Sequence, residues 1–104
     1  MSELIPVPKM SEVLLGEFMR PLGLSTYRVA KDIKVPVSRI QEILQNKRKI
    51  TADTDLRLCK YFGMSNGFFL RMQMDLDLLE AKDMVNLQAD LKEITCVANQ
   101  SVDN

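Results

Sequence analysis

Residues 25 to 48 constrain this chain more than any other stretch, because they carry two short helical patterns joined by a break that neither pattern can cross. In the first, Ser25 or Thr26 is a good N-cap, and Val29, Ala30 and Ile33 form one apolar side. Lys34, Val35 and Pro36 interrupt it. A second pattern then runs through Val37, Ile40, Ile43 and Leu44 and ends near Gln45. Asn46 suits the C-terminal cap, since after Gly it best tolerates the left-handed conformation.

Two short helices that cross steeply can brace one of them in a major groove, and this geometry dictates which positions are apolar. With Thr26 as its first position, such a helix-turn-helix places its contacts at Val29, Ile33, Val35, Ile40 and Ile43, with a small residue at Ala30. All six positions fit. Amphipathicity alone makes part of this pattern in any helical hairpin of a bundle, so that plainer reading stays open. Lys34 stands where many such motifs have a turn glycine; a positive φ there costs about 1 kcal/mol relative to Gly.

The rest of the chain supplies a setting of the same kind. At 104 residues there is room for one domain, and a composition low in Gly and Pro and rich in Leu, Met, Lys and Glu favours helices. Pro6 and Pro8 make residues 1–10 an extended N-terminal arm. Ser11 is expected to cap a first helix over roughly 12–20, with Leu14 and Phe18, and Leu15 and Met19, paired at i, i+4 until Pro21 and Gly23 stop it. Thr51 opens a fourth helix with Asp53 and Asp55 in its first turn and Leu56, Cys59 and Phe62 as its apolar stripe, ended by Gly63. Ser65 is expected to cap a fifth, lined by Phe69, Met72, Leu76 and Leu79.

The expected fold is therefore all-α, a five-helix domain over residues 11–80 with an acidic C-terminal extension over 81–104. In that extension Met84, Leu87, Leu91 and Ile94 suit a further helix, while Ile94 to Val97 also suit a short strand. The last seven residues are expected to be mobile.

Charge is distributed unevenly. The formal net charge is zero, yet between Arg20 and Ile50 eight basic residues oppose only Asp32 and Glu42, and acidic residues gather toward the C-terminus. This suggests a phosphate-facing side, although a solvated face produces the same run. With Ile40, Ile43 and Leu44 inward, the early outward positions of the second motif helix are Val37, Ser38, Arg39, Gln41 and Glu42, the candidate base contacts. Arg39 can donate two bonds to guanine O6 and N7, and Val37 can meet a thymine methyl; a surface pair of Arg39 with Glu42 is the plainer alternative. Ser25, Thr26 and Tyr27 at a helix N-terminus, and Asn46, Lys47, Arg48 and Lys49 after the recognition helix, are candidate phosphate contacts.

Other classes fit poorly. The chain has no His, so the commonest general base and metal ligand is missing, and Asp, Glu, Lys and Cys fall in no ligand-spaced or Gly-rich motif. We expect no enzyme, no metal and no cofactor. Cys59 and Cys96 are too few for a disulfide framework, and no run has signal-peptide or membrane-spanning character, so a cytoplasmic location without membrane contact is expected.

Four segments go further: PLGLS at 21–25, VPVSRIQEI at 35–43, NKRKITADTDLRL at 46–58 and FGMSNGFFLRMQ at 62–73. In order and spacing they resemble the HigA or VapI family of antitoxins over roughly residues 8 to 80. The sequence departs from the family in Phe69, where Trp is common, in Met74, and in Asn46, where Gly is usual. The resemblance implies a domain of the Cro and phage-repressor class, a homodimer that represses its own operon through double-stranded operator DNA, and a HigB-like toxin partner, a ribosome-dependent mRNA endonuclease of RelE type that it neutralises. A helix-turn-helix regulator without a toxin, and an interaction module that has lost its DNA site, are the alternatives.

Overall fold

The computed structural model describes residues 6–98, and all regular structure among them is helical. The readings of residues 1–5 as an arm and of 99–104 as a mobile end lie outside the described residues. Pro6 to Lys9 carry no regular structure, and helix α1 then starts at Met10–Val13, widens into a π turn over Leu14–Met19 and tightens into a 3-10 turn over Arg20–Leu22. The remaining helices are α2 (Thr26–Ile33), α3 (Val37–Leu44), α4 (Ala52–Phe62), α5 (Phe68–Lys82) and α6 (Val85–Glu93).

Helix α1 departs from its expected details. Lys9 rather than Ser11 caps it: the Lys9 amide donates to the Glu12 carboxylate at 3.0 Å, while Ser11 is buried as the second residue of the helix. In the π turn the Arg20 amide donates to the Leu15 carbonyl, five residues back, so Leu14 and Met19 are the two fully buried side chains. The i, i+4 pairs read from the sequence are replaced by an i, i+5 pair because the backbone is locally wider. Gly23, at φ 65°, ends the helix.

The helix-turn-helix forms as expected. Val29, Ala30, Ile33, Val35, Ile40 and Ile43 are all buried, none more than 9% exposed. Ser25 caps α2, its hydroxyl accepting from the Arg28 amide at 3.0 Å. Lys34 adopts the left-handed conformation (φ 64°, ψ 48°), which turns the chain so that the Val35 amide donates back to the Ala30 carbonyl at 3.0 Å. Asn46 is likewise left-handed at φ 62°, and the Lys47 amide closes the end of α3 on the Glu42 carbonyl at 2.8 Å.

Helix α4 opens at Thr51 and ends at Gly63, but its inward stripe is Thr54, Asp55, Leu58 and Cys59 rather than one including Leu56, which is 49% exposed. From the sequence alone Asp55 reads only as a first-turn carboxylate favoured by the helix dipole. Asp55 is buried because it has partners: its carboxylate accepts from the Gly67 amide at 2.7 Å and the Leu70 amide at 2.9 Å. It thus performs for α5 the capping expected of Ser65, with two of the unpaired amides of that helix start satisfied by a charged acceptor. All four phenylalanines join here: Phe18 lies 4.9 Å from Phe69 and 5.3 Å from Phe62 between ring centroids, and Phe68 lies 5.2 Å from Phe69.

The far half of α5 leaves this core. Met72 and Leu76 are half-buried, whereas Leu79, expected on the inward stripe, is exposed together with Met74 and Leu78. A sixth helix, α6, follows with no buried residue, so the extension is helical where five helices were expected, and Ile94 to Cys96 form no strand. The methionines divide accordingly: Met19 is core, Met74 and Met84 are open. The radius of gyration is 18.3 Å, well above the roughly 13 Å of a compact domain of this length.

Candidate nucleic-acid interface

Helix α3 turns Ile40 and Ile43 inward, which leaves Ser38 and Gln41 exposed on its other side. Val37, the first residue of the helix, is half-buried against the core. Arg39 and Glu42 do not pair with each other. Arg39 donates through Nη1 to Asp53 Oδ1 at 3.3 Å, and Glu42 accepts from Arg48 Nε at 2.8 Å. The second contact draws the loop after α3 against the helix, so Arg48 stands beside Glu42 while Lys47 makes no ion pair among the described residues.

At the other candidate phosphate site, Ser25 spends its hydroxyl on capping α2. The amides of Thr26 and Tyr27 lie in the first turn, where no intrahelical acceptor exists, and Tyr27 is 69% exposed.

Residues outside the motif hold it in shape. Arg57 of α4 donates through Nη1 to the Ile33 carbonyl at 2.8 Å and the Lys34 carbonyl at 3.3 Å, at the turn of the motif, and through Nε to Asp53 at 2.7 Å. That bond, ahead of the charges of Arg57 and Arg39, holds the Asp53 carboxyl below its ordinary pKa. Tyr61 donates to Asp32 at 2.6 Å, and Arg28 donates to the same oxygen at 2.6 Å, tying α2 to α4. The loop from 46 to 50 is gripped by α5: Gln73 bonds both backbone groups of Ile50 and Lys49 reaches Asp77 at 2.9 Å, while further along α5 Glu80 pairs with Lys9 at the start of α1 at 3.7 Å.

None of these supports was read from the sequence except Lys49, as a phosphate contact. The i, i+4 spacing of Asp53 and Arg57, and the i, i+4, i+7 spacing of Gln73, Asp77 and Glu80, were the available signals. They also revise the charge picture: acidic residues from beyond the basic stretch fold back on it, Asp53 to Arg39 and Asp77 to Lys49. Among the described residues no group of three or more acidic or Cys side chains is placed to hold a metal, and no helix is long and apolar enough to cross a membrane.

No family model matches the sequence. The chain is 44% identical over 78 residues to virulence-associated protein I of Dichelobacter nodosus, an alignment that covers 75% of this chain and 72% of that protein. Among solved structures it is similar to an addiction module antidote protein of a HigA family from Coxiella burnetii, with 33% identity, a TM-score of 0.76, and coverage of 88% of this chain and 99% of that one. It is also similar to Pseudomonas aeruginosa antitoxin HigA, solved with the higBA promoter, at 28% identity and a TM-score of 0.77, over 86% of this chain and 97% of that one. The two solved relatives are an antidote protein of a HigA family and an antitoxin, in agreement with the expectation that this chain is no enzyme. In sequence, in the helix-turn-helix and in the helices around it, this chain belongs to the HigA/VapI family of antitoxins.

Proposed function

We propose that this protein is a cytoplasmic, sequence-specific DNA-binding antitoxin that represses its own operon and neutralises a HigB-like, RelE-type mRNA endonuclease. The observation that carries the DNA reading is the outward side of α3, where Ser38, Arg39 and Gln41 stand opposite a fully buried Ile40, with Arg48 drawn alongside through Glu42. Its likeness to an antitoxin solved with promoter DNA supports the same reading.

In this proposal α3 enters the major groove. Ser38 and Arg39 read base edges, Val37 meets a thymine methyl, and Gln41 and Glu42 complete the helix surface, Glu42 chiefly by orienting Arg48. Thr26 and Tyr27 at the start of α2, beside the Ser25 cap, and Asn46, Lys47 and Arg48 after α3 hold phosphates on either flank. The protein acts as a homodimer, since two recognition helices about one DNA turn apart read a palindrome. The exposed apolar residues Met74 and Leu78 of α5, Met84 just before α6 and Leu91 of α6 are the surface proposed to join the protomers.

Fluorescence anisotropy on duplexes from the region upstream of its own gene, over a range of salt, tests the DNA reading. A linear fall of log affinity with log salt, with a slope of about −0.9 per phosphate held, and a preference for the upstream duplex weakened about tenfold but still measurable in Arg39→Ala are expected. Equal binding of upstream and scrambled duplexes removes the reading. Co-expression with the adjacent reading frame tests the toxin: rescue of growth and co-purification support the antitoxin role, and absence of a toxic neighbour leaves a regulator without a toxin.

A further inference from the structure

We propose that Asp53 is a positioning residue that sets the DNA sequence discrimination of this protein by holding Arg39, a role that rests on the reading of α3 as the groove helix. Asp53 lies outside the helix-turn-helix, in the first turn of α4. Its Oδ1 accepts from Arg57 Nε at 2.7 Å and from Arg39 Nη1 at 3.3 Å. Arg57 in turn is anchored to the turn itself, on the carbonyls of Ile33 and Lys34. A continuous path therefore runs from the turn through Arg57 and Asp53 to the side chain of Arg39.

The path does two things to Arg39. It orients the guanidinium, so that less side-chain freedom is lost on docking than for an untethered arginine. The bond uses one of five N–H donors, and among the described residues no other partner takes the remaining ones, so donors stay available for the paired acceptors of guanine. It also offsets the charge. A guanidinium beside a carboxylate is a poor anchor for a phosphate, which the carboxylate repels, whereas the neutral, paired acceptors of guanine impose no such repulsion. Asp53 thus weakens the sequence-independent use of Arg39 more than its sequence-reading use, and specificity is the difference between the two. Because the carboxyl of Asp53 is held below its ordinary pKa, it is ionised at neutral pH.

Asp53→Asn tests this, since the amide keeps an oxygen for Arg57 and loses the charge. On the full-length protein, anisotropy with upstream and scrambled duplexes is expected to show binding to the scrambled duplex strengthened several-fold. Its salt dependence should steepen by about one phosphate, a slope change of about −0.9, and the preference for the upstream duplex should fall about tenfold, the discrimination of one bidentate base contact. In an Arg39→Ala background the same substitution is expected to leave the preference unchanged, the coupling a double-mutant cycle detects. Asp53→Ser, which suits a first helical turn, repeats the measurement if the Asn variant melts early. A preference that survives both Asp53 variants, or that falls equally without Arg39, overturns the proposal alone. No preference in the unmodified protein overturns the groove reading and this proposal together.

Discussion

Gln73 binds Ile50 as a neighbouring strand would, accepting from its amide at 2.8 Å and donating to its carbonyl at 2.9 Å. One side chain of α5 thereby satisfies both backbone groups of a residue that is only 2% exposed, at the end of the loop that carries Asn46, Lys47 and Arg48. The carboxamide thereby fixes the end of the loop, whose start is held by the Lys47 amide on the Glu42 carbonyl.

Gln73→Met keeps the length of the side chain and removes both bonds. With an amide and a carbonyl left unpaired at about 1–3 kcal/mol each when buried, a loss of about 2–3 kcal/mol in urea denaturation is expected. Affinity for DNA should also fall, while the preference for one sequence over another changes little.

Asp55→Ala removes the cap of α5 from inside the core. Two charge-assisted bonds, to the amides of Gly67 and Leu70, disappear with it, and a cost of about 3 kcal/mol is expected in the same measurement. Asp55→Asn, which keeps an acceptor, should lose distinctly less.

Lys34→Gly is expected to stabilise the protein. A left-handed Lys carries a strain that Gly lacks, and relief of about 0.5–1 kcal/mol raises the Tm by a few degrees. Lys34→Ala retains the strain and should show no gain; equal gains in both variants would place the effect elsewhere.

The Asp32–Tyr61 pair makes stability depend on pH at both ends. The Tyr61 hydroxyl, then Arg28, hold the Asp32 carboxyl below its ordinary 3.8, so its contribution is complete above that value and is lost as pH falls through the lower folded one. Asp32 raises the Tyr61 hydroxyl above its ordinary 10.0, so that contribution is present below 10.0 and is lost as pH rises through the folded value. Tyr61→Phe is expected to flatten the alkaline fall of the urea midpoint and to shrink the acid one.

Met74→Asp with Leu78→Asp places charge on the outer side of α5, where both residues are more than half exposed. If this side joins two protomers, light scattering after size exclusion should change from dimer to monomer with helicity by circular dichroism retained. A mass that is the same for both proteins would remove α5 as the dimer surface.

The six helix-turn-helix positions were legible from residue order because burial at period 3.6 is a local property: Val29, Ala30 and Ile33 mark one face, Ile40 and Ile43 the other, and all are buried. The caps at Ser25 and Thr51 and the left-handed Asn46 are equally local, each set by a residue and its near neighbours. Less was legible where a residue is decided by something distant. Asp55 reads as a surface charge until the start of α5 is brought against it, and Leu56 reads as core until Asp55 takes the inward position. The π turn after α1 leaves no periodic mark that distinguishes Phe18 from Met19 as the deeper side chain.

At the candidate interface the division is the same. Residue order by itself determined the helix-turn-helix, the residues that α3 turns outward and the excess of basic residues around them, since helical period and charge are read along the chain. Only the tertiary structure decided which carboxylates return to those bases and which side chains hold the loop. Asp53, Asp77 and Gln73 lie 14, 28 and 23 positions from Arg39, Lys49 and Ile50. Pairing over such separations comes from how α4 and α5 pack on the motif, which no local pattern encodes.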